Sequence, residues 1–354
     1  MKYDNIKPPC VDSPTDHKKY VNEAGNREEG RVVIQDPEMR IKALAPWFGG
    51  KRTLAPRIVA ELGKHRIYWD VFCGSAAVLF AKPPCVMETM NDLHGDLINL
   101  AKVVQNDDTA PVLFDRMSRT AGHEDLMHEA AERYRARGDK APASDQPDVD
   151  RACDYMLCAW LGRNGVAGTQ GFCKGFCVRY SANGGHAAKR FQSVVESIPA
   201  WWNRLRNVTI LNRNARDLIP RIEDRADTAI YADPPYVEKG AKYVHDFDDR
   251  KEFAGLFCGD ADRPMSHGEL AELLGRFKKS RVVVSYYDHP EVRRLYRPPH
   301  WTFIDCAMTK SLVNQRMRDS SDGPVKAPEV LIVNGPSLTK GWTNNSAANA
   351  DGGA

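Results

Sequence analysis

The tetrapeptide Asp233-Pro234-Pro235-Tyr236 follows directly on the apolar run at residues 228–232, so a strand is predicted to deliver a carboxylate, backbone carbonyls and an aromatic ring to one place. Two consecutive prolines continue neither a strand ladder nor a helix, and they hold the backbone at φ of about −65°. A carboxylate and a carbonyl fixed side by side can accept both hydrogens of an amine. The pattern therefore indicates methyl transfer onto an amine, with an ordinary proline turn beside a surface or core tyrosine as the alternative.

A second candidate site lies upstream, where a predicted strand runs through Phe72 into a tight turn at Gly74. Such a turn lets a ligand approach the backbone at the carboxyl edge of an open α/β sheet. Asp92 comes after the next strand, about twenty residues on, where a Rossmann-like unit places an acid for ribose hydroxyls. The alternative for Asp92 is an ordinary acid at a helix N-terminus.

An aromatic residue and a cation, Trp47 and Lys51, flank the turn Phe48-Gly49-Gly50 ahead of a predicted helix. They offer a ring face and a positive charge to a ligand. The alternative is a hydrophobic staple followed by a simple loop.

The stretch 155–195 contains no acidic residue and interleaves basic with aromatic side chains. A locally basic, glycine-rich and aromatic segment suits contact with phosphates and stacking on bases. The alternative is a solvated loop whose aromatic residues belong to a small core. The candidates for such contact are Arg163, Lys174, Arg179 and Tyr180.

Short β-rich runs alternate with helical patterns, which predicts an α/β fold with a mainly parallel sheet covered on both faces. Helices are predicted over residues 53–62, 95–105 and 267–277, the last capped by Ser266 with Glu269 three residues later. Strands are predicted at 67–72, 86–90, 208–212, 228–232, 282–286, 301–306 and 329–333.

Composition divides the chain into regions. Charge and proline at 1–40 and small polar residues at 335–354 predict flexible extensions. Residues 107–206 break the strand-helix alternation and predict an inserted second domain between the two parts of a catalytic domain, 41–106 and 207–334. Residues 138–150 are predicted to be a linker or loop that does not order firmly.

Bulk properties exclude some classes. The chain has 354 residues, 42% of them hydrophobic, and a formal net charge of +3 that is too small to indicate any partner. No run approaches the roughly 18 apolar residues of a membrane span, so we expect a cytoplasmic protein with no membrane contact. Nine cysteines form no Cys-x-x-Cys pair, which indicates free thiols. No metal is expected, because the spacing of one conceivable zinc set is unusual: Cys153, Cys158, Cys173, Cys177 and His186.

The order of four motifs over roughly residues 44–334 resembles the DNA adenine methylase family. The motifs are Trp47-Phe48-Gly49-Gly50-Lys51, Asp70-Val71-Phe72-Cys73-Gly74, Asn91-Asp92-Leu93-His94-Gly95-Asp96-Leu97-Ile98-Asn99-Leu100 and Asp233-Pro234-Pro235-Tyr236. The resemblance implies a Rossmann-like methyltransferase sheet with an inserted, mainly helical DNA-recognition domain. It also implies S-adenosyl-L-methionine as cofactor and double-stranded DNA as partner.

The resemblance further assigns roles to residues. Trp47, Lys51, Asp92 and Asp233 are expected at the cofactor, together with Phe72 and Gly74 of the turn, and Asp217 near its adenine ring. Asp233 and Pro234 are expected to orient the exocyclic amine of a flipped adenine, and Tyr236 to stack on the base. The segments Ser285-Tyr286-Tyr287-Asp288 and 311–326, the latter a polar loop before the final strand, are expected to close the pocket of the target base. Arg163-Asn164-Gly165-Val166 and Arg179-Tyr180 loosely resemble the family's Asn-Gly and Phe-Gly-Arg-Tyr segments, which implies that Asn164 belongs to the DNA-contact candidates. We expect a monomer that acts on a short, specific DNA sequence.

One departure from the family pattern is Ala76, which stands where the family has the second glycine of its Phe-x-Gly-x-Gly turn. A methyl group there tightens the cofactor pocket if the backbone needs positive φ. The alternatives left open are methylation of cytosine, of an RNA base or of a protein glutamine, and a catalytically silent DNA-binding relative.

Overall fold

The structure, a computed structural model, describes residues 41–163, 166–178, 186–237, 244–247, 264–309 and 326–340. Several predicted features lie outside the described residues: the extension 1–40, most of the tail, the polar loop before the last strand, and the DNA-contact candidates Asn164, Arg179 and Tyr180.

Seven strands form one sheet in the order β3-β2-β1-β4-β5-β7-β6. The first five are parallel, whereas β7 runs antiparallel to both of its neighbours, β5 and β6. All seven lie where the sequence predicts them, and the predicted α/β fold with a Rossmann-like sheet is confirmed. The strands are β1 Ile67–Asp70, β2 Met87–Asn91, β3 Val208–Leu211, β4 Thr228–Ala232, β5 Arg281–Tyr287, β6 Trp301–Thr309 and β7 Lys326–Asn334.

The central strand β4 is buried along its whole length, which requires cover on both faces of the sheet. Ala229 and Tyr231 pack into one hydrophobic cluster, and Ile230 and Ala232 pack into a second cluster. Because successive strand residues point to opposite faces, these two clusters are the two layers between sheet and helices.

Helices cover the two faces of the sheet and fill the connections between strands. The three predicted helices are present, and Ser266 Oγ accepts a hydrogen bond of 3.1 Å from the Glu269 N–H, as the predicted cap requires. The helices are α1 Ala55–Leu62, α2 Ala77–Ala81, α3 Gly95–Gln105, α4 Thr109–Ser118, α5 Glu124–Arg137, α6 Val149–Leu161, α7 Ala187–Val195, α8 Ile198–Leu205, α9 Ala215–Leu218, α10 His267–Gly275 and α11 Pro290–Leu295, with a 3-10 turn at Ile219–Arg221.

Five of these helices, α4 to α8, occupy the stretch between β2 and β3 that the sequence predicts to be an insertion. Every residue of α6 from Arg151 to Leu161 is buried, so α6 is the central helix of this layer. Its apolar side chains belong to the same hydrophobic cluster as α3 and the sheet. The core therefore continues across the predicted boundaries, and a separate recognition domain at 107–206 stays a prediction.

The connection 138–148, predicted to order weakly, is held by hydrogen bonds from neighbouring helices. Arg151 donates to the carbonyls of Pro142 and Ala141 at 2.6 and 3.1 Å, and Lys102 donates to the carbonyl of Ser144 at 3.0 Å. Cationic side chains thus satisfy backbone oxygens that apolar burial does not cover. Composition alone does not reveal such partners, since they come from elsewhere in the chain.

The last described residues, 335–340, fall in the predicted tail and dock against α1. Glu61, fully buried, accepts hydrogen bonds from the N–H groups of Leu338 and Thr339 and from the Ser337 hydroxyl, and it pairs with Arg281 at 2.7 Å. The ordered chain thus extends at least to residue 340.

Ala76 adopts the left-handed conformation, with φ 59° and ψ 26°, at the residue that precedes α2. It is fully buried. The backbone at residue 76 therefore does need positive φ, as the family's glycine at this position suggested. A residue with a Cβ in this conformation is strained by about 1–2 kcal/mol. The strain lies in the turn between the end of β1 and α2.

We predict that Ala76→Gly leaves the free energy of unfolding unchanged or raises it by up to about 1 kcal/mol, because relief of the strain offsets the lost methyl group. Ala77→Gly, one residue on and inside α2, is the matched control and lowers stability by about 0.5–1 kcal/mol. Urea denaturation of both variants measures the difference. A loss of more than 1 kcal/mol for Ala76→Gly contradicts the strain at this position.

Candidate active site

A cavity of about 450 Å³ opens at the carboxyl ends of β1, β2, β3 and β4. The chain leaves β1 toward β2 on one side, whereas β4 pairs with β1 on the other. Open α/β sheets bind ligands at such a switch point, because the connecting loops diverge there and leave a crevice. The volume is in the range of small-molecule sites.

The predicted cofactor residues meet at this cavity with one exception. Asp217 lies exposed on α9 and does not line the cavity, whereas Asn214 and Ala215 of the same turn do. Pro235 also lines it, and Tyr236 is buried beside Lys51. The predicted residues that line the cavity are Trp47, Lys51, Phe72, Gly74, Asp92 and Asp233.

The Asp233 carboxylate is held at both oxygens. Its Oδ1 accepts a hydrogen bond of 2.6 Å from the Ser285 hydroxyl, and its Oδ2 lies 2.9 Å from the Lys51 ammonium. Tyr231, whose hydroxyl is 3.0 Å from Ser285 Oγ, extends the network into the core. Each carboxylate oxygen has two lone pairs, so Asp233 retains capacity to accept a hydrogen from a ligand.

Charges around Asp233 act in opposite directions on its ionisation. Burial raises the pKa of Asp233, and the nearby Lys51 ammonium and Ser285 hydroxyl offset only part of that rise. Burial by itself lowers the pKa of Lys51, but Asp233 and Glu329 outweigh it, so that the pKa is raised overall. Lys51 is therefore cationic at neutral pH, and it favours the carboxylate form of Asp233.

Tyr236 packs against Lys51 of the Lys51–Asp233 ion pair. Only 5% of the residue is exposed, its ring lies 4.6 Å from the ring of Tyr287, and the Lys51 ammonium lies 5.0 Å from its centroid. Its hydroxyl donates a 2.8 Å hydrogen bond to Glu329. The predicted stacking of Tyr236 on a base stays a prediction.

Asp92 joins the turn after β1 to the start of α3. Its Oδ2 accepts from the Gly74 N–H at 2.8 Å, and its Oδ1 accepts from the His94 N–H at 2.9 Å. Burial raises the pKa of Asp92, although these backbone donors counteract the rise. Asp92 thus fixes the loops after β1 and β2 at the cavity wall. It also has the structural role that the sequence left open, that of an acid near the N-terminus of a helix.

A third carboxyl group, Asp70 at the end of β1, lies behind the cavity. Burial, together with the charges of Asp233 and Asp92, raises the pKa of Asp70 well above its ordinary value, although Tyr68 donates a 3.0 Å hydrogen bond to it. Three neighbouring carboxyl groups do not all ionise in a low dielectric. Burial thus favours the neutral form of Asp70 more strongly than that of Asp92 or Asp233, whose pKa rises are partly offset by backbone donors and by Lys51.

Trp47 is clamped between two glycines that approach it closely. A Cβ on Gly74 would lie 2.9 Å from Trp47 Nε1, and a Cβ on Gly168 would lie 2.5 Å from its Cζ2. Both glycines have positive φ, +45° and +78°. A bridge between Trp47 and Ala167 adds a backbone link. The loop 166–178 therefore forms part of the wall that places the Trp47 ring at the cavity.

We predict that Gly168→Ala lowers the free energy of unfolding by about 2 kcal/mol or more, because the new Cβ clashes with the indole and sits at an unfavourable φ. Gly175→Ala in the same loop is the control, since its Cβ would meet nothing within 4 Å. Thermal and urea unfolding measure both variants. Equal stability of the two variants contradicts the clamp.

His94 carries a hydrogen-bond donor with no partner in the described part of the chain. Its Nδ1 accepts from the Leu97 N–H at 3.2 Å as the cap of α3, and burial lowers its pKa to about 3. The ring is therefore neutral, and its proton is assigned to Nε2. That atom is buried without a partner among the described residues, and His94 lines the cavity.

Several cavity and network residues were not predicted from the sequence. Glu329 comes from β7, far along the chain from the motifs it contacts. Ser285 of β5 lies in the segment 285–288 that the resemblance places at the target-base pocket, but its hydrogen bond to Asp233 was not predicted. His94 stands in a motif and precedes α3 as a cap residue, which is a readable signal. The segment 244–247 has no such signal, yet all four of its residues line the cavity: Val244, His245, Asp246 and Phe247.

Of the predicted DNA contacts, Arg163 and Lys174 lie within the described residues, and both are exposed. They belong to the loop region that contacts Trp47 through Ala167 and Gly168. Their role in DNA contact stays a prediction.

Comparison with known families gives the decisive observation. The family model of the D12 class N6 adenine-specific DNA methyltransferases matches residues 47–304, more than half of the chain. The chain belongs to this family. It is therefore an enzyme, an adenine-specific DNA methyltransferase, and the predicted family is confirmed.

Other comparisons add little to the family assignment. No curated protein matches this methyltransferase. Among solved structures, it is similar to precorrin 8W decarboxylase of Methanobacterium thermoautotrophicum, with 12% identity over 80% of this chain and 88% of that chain and a TM-score of 0.27. A likeness of that size supports no argument.

Within the described ranges, no helix has the length and apolar character needed to cross a membrane. In the same residues, no three His, Cys, Asp or Glu side chains are grouped so that they could hold a metal ion.

Proposed function

We propose that this methyltransferase transfers a methyl group from S-adenosyl-L-methionine to the exocyclic amine of an adenine that is flipped out of double-stranded DNA at a short specific sequence. The observation that supports the proposal most strongly is the buried Asp233 carboxylate, oriented by Ser285 and Lys51 at the edge of a cavity that the cofactor motifs line.

The cavity suits the cofactor in its polar and its apolar parts. The Nε2–H of His94, which has no partner among the described residues, offers a donor to an acceptor such as a ribose hydroxyl. The Trp47 ring, held between Gly74 and Gly168, offers a flat apolar wall. Trp47, Phe72, Gly74 and Asp92 would hold the cofactor. When bound, the cofactor supplies an electrophilic methyl group on a sulfonium.

Asp233 and Pro234 would act on the target amine. An adenine amine is a poor nucleophile because its lone pair is conjugated into the ring. Acceptors on both amine hydrogens draw the nitrogen toward tetrahedral geometry and stabilise the positive charge that develops as the bond to the methyl group forms. The carboxylate of Asp233 and the carbonyl of Pro234 are the two acceptors that we assign to this step.

Access to the amine requires base flipping, because a paired and stacked adenine cannot reach a buried carboxylate. Extrusion costs a few kcal/mol, and stacking on an aromatic ring offsets part of that cost. Tyr236 is the ring that we assign to this role. Because 5% of Tyr236 is exposed, stacking requires that DNA binding uncovers its ring.

We predict that Asp233→Asn lowers methyl transfer by at least about 100-fold, since the loss of one oriented charged acceptor costs that much in comparable sites. Cofactor affinity is retained at least in part. Asp305→Asn, which alters an exposed aspartate on the edge strand β6, is the matched control with unchanged activity. Mass spectrometry of nucleosides from methylated duplex DNA measures the product, and calorimetry measures cofactor binding.

The same nucleoside analysis separates the alternatives to adenine. N6-methyladenine in DNA from cells that express the wild-type protein supports the proposal, whereas methylcytosine or unmodified DNA contradicts it. Unimpaired turnover by Asp233→Asn refutes the assigned role of the carboxylate.

A further inference from the structure

Glu329 contacts two groups of the candidate active site, although no motif of the sequence contains it. It lies on β7 opposite Tyr287 of β5, and its side chain is 13% exposed. Its Oε1 accepts the Tyr236 hydroxyl at 2.8 Å and lies 3.4 Å from the Lys51 ammonium. One oxygen of the Glu329 carboxylate therefore contacts both the Tyr236 hydroxyl and the Lys51 ammonium.

The Lys51 ammonium has three hydrogens, and three acceptors surround it. They are the Gly49 carbonyl at 2.6 Å, Asp233 Oδ2 at 2.9 Å and Glu329 Oε1 at 3.4 Å. A buried ammonium held by one hydrogen bond and two ion pairs has little freedom to move. Without Glu329, the ammonium loses one of its two ion pairs and is less firmly held beside Asp233.

The Tyr236 hydroxyl is fixed by the same oxygen. Burial, with the charges of Asp233 and Glu329, raises the pKa of Tyr236 well above its ordinary value, so the hydroxyl keeps its hydrogen and acts as donor. The hydrogen bond to Glu329 fixes the orientation of the Tyr236 ring. The rings of Tyr286 and Tyr287 also contact the Tyr236 ring.

We propose that Glu329 is a positioning residue for methyl transfer, which orients the Lys51 ammonium and the Tyr236 ring around the amine-binding carboxylate of Asp233. This inference rests on the proposed function. Glu329 makes no contact with the reacting atoms in this account, and it acts through the two groups it holds. Loss of such positioning lowers the rate of the chemical step more than it weakens cofactor binding.

A charge argument separates positioning from simple structural support. The negative charge of Glu329 raises the pKa of Asp233. Replacement by a neutral isostere removes that contribution, so the pKa of Asp233 falls. Methyl transfer needs the carboxylate form of Asp233, so the rate falls at low pH as Asp233 is protonated. This fall, the acid limb of the pH–rate profile, therefore moves to lower pH in the variant. A residue that only supports the fold changes the amount of active enzyme and leaves the limb in place.

The test is single-turnover methylation of duplex DNA as a function of pH at saturating cofactor. Glu329→Ala is expected to lower the rate by about 100-fold and Glu329→Gln by about 10-fold, because glutamine keeps an acceptor oxygen for Lys51 and Tyr236. The acid limb of Glu329→Gln lies at lower pH than that of wild type. Calorimetry is expected to give a dissociation constant for S-adenosyl-L-methionine within about threefold of wild type.

Two further variants complete the comparison. Tyr236→Phe removes the contact of Glu329 with the Tyr236 hydroxyl but keeps the negative charge of Glu329 beside Lys51. We therefore expect a slower reaction and an acid limb at the same pH as in wild type. Glu291→Gln neutralises a partly exposed glutamate paired with Arg294 on α11 and is expected to match wild type.

The outcomes distinguish the inference from the function on which it rests. A wild-type protein that methylates no DNA contradicts the proposed function itself. If the wild type is active, a folded Glu329→Gln variant with an unchanged rate and an unmoved acid limb overturns the inference. A tenfold loss of cofactor affinity that accounts for the rate change also overturns it. Should Glu329→Ala fail to fold, the glutamine variant still decides.

Discussion

The ion pair between Lys51 and Asp233 is the interaction on which the candidate site depends. A carboxylate that must accept amine hydrogens has to be charged and partly shielded from water, and burial alone favours its neutral form. The Lys51 ammonium, 2.9 Å from Asp233 Oδ2, favours the charged form of Asp233. The charge of Lys51 is in turn stabilised by Asp233 and Glu329. Removing one partner of such a buried pair leaves an uncompensated charge and costs about 3–5 kcal/mol. The pair thus links the stability of the site to its chemistry.

The topology of the sheet explains why residues so far apart in sequence meet at this pair. β4 lies next to β1, so Asp233 emerges beside the turn at Gly74, and β5 brings Ser285 to the other side of Asp233. The antiparallel β7 then returns Glu329 to the same edge. Asp233, Ser285 and Glu329 therefore come from three adjacent strands of one sheet, β4, β5 and β7, which favours a more precise arrangement than loops alone would give.

Much of the fold could be predicted from the sequence, because each strand carries a short apolar run and each predicted helix an apolar periodicity. The cofactor-side residues could also be predicted, since they cluster in motifs at strand ends. The resemblance places Ser285 at the target-base pocket. Its hydrogen bond to Asp233 and the position of Glu329 could not be predicted, because both arise from sheet pairing between residues distant in sequence. The order of the 138–148 connection was missed for a similar reason: Arg151 and Lys102 satisfy its carbonyls from separate helices. Asp217 shows the converse, because it lies in the predicted turn but is exposed and does not line the cavity.

The most direct test of this account is the pH dependence of single-turnover methylation by Lys51→Met, compared with wild type and with Lys279→Met, which alters an exposed lysine. Lys51 lowers the pKa of Asp233, so its removal raises that pKa. The account predicts that the acid limb of Lys51→Met moves to higher pH and that its rate recovers in part as the pH rises. A folded Lys51→Met variant whose acid limb coincides with that of wild type would contradict it.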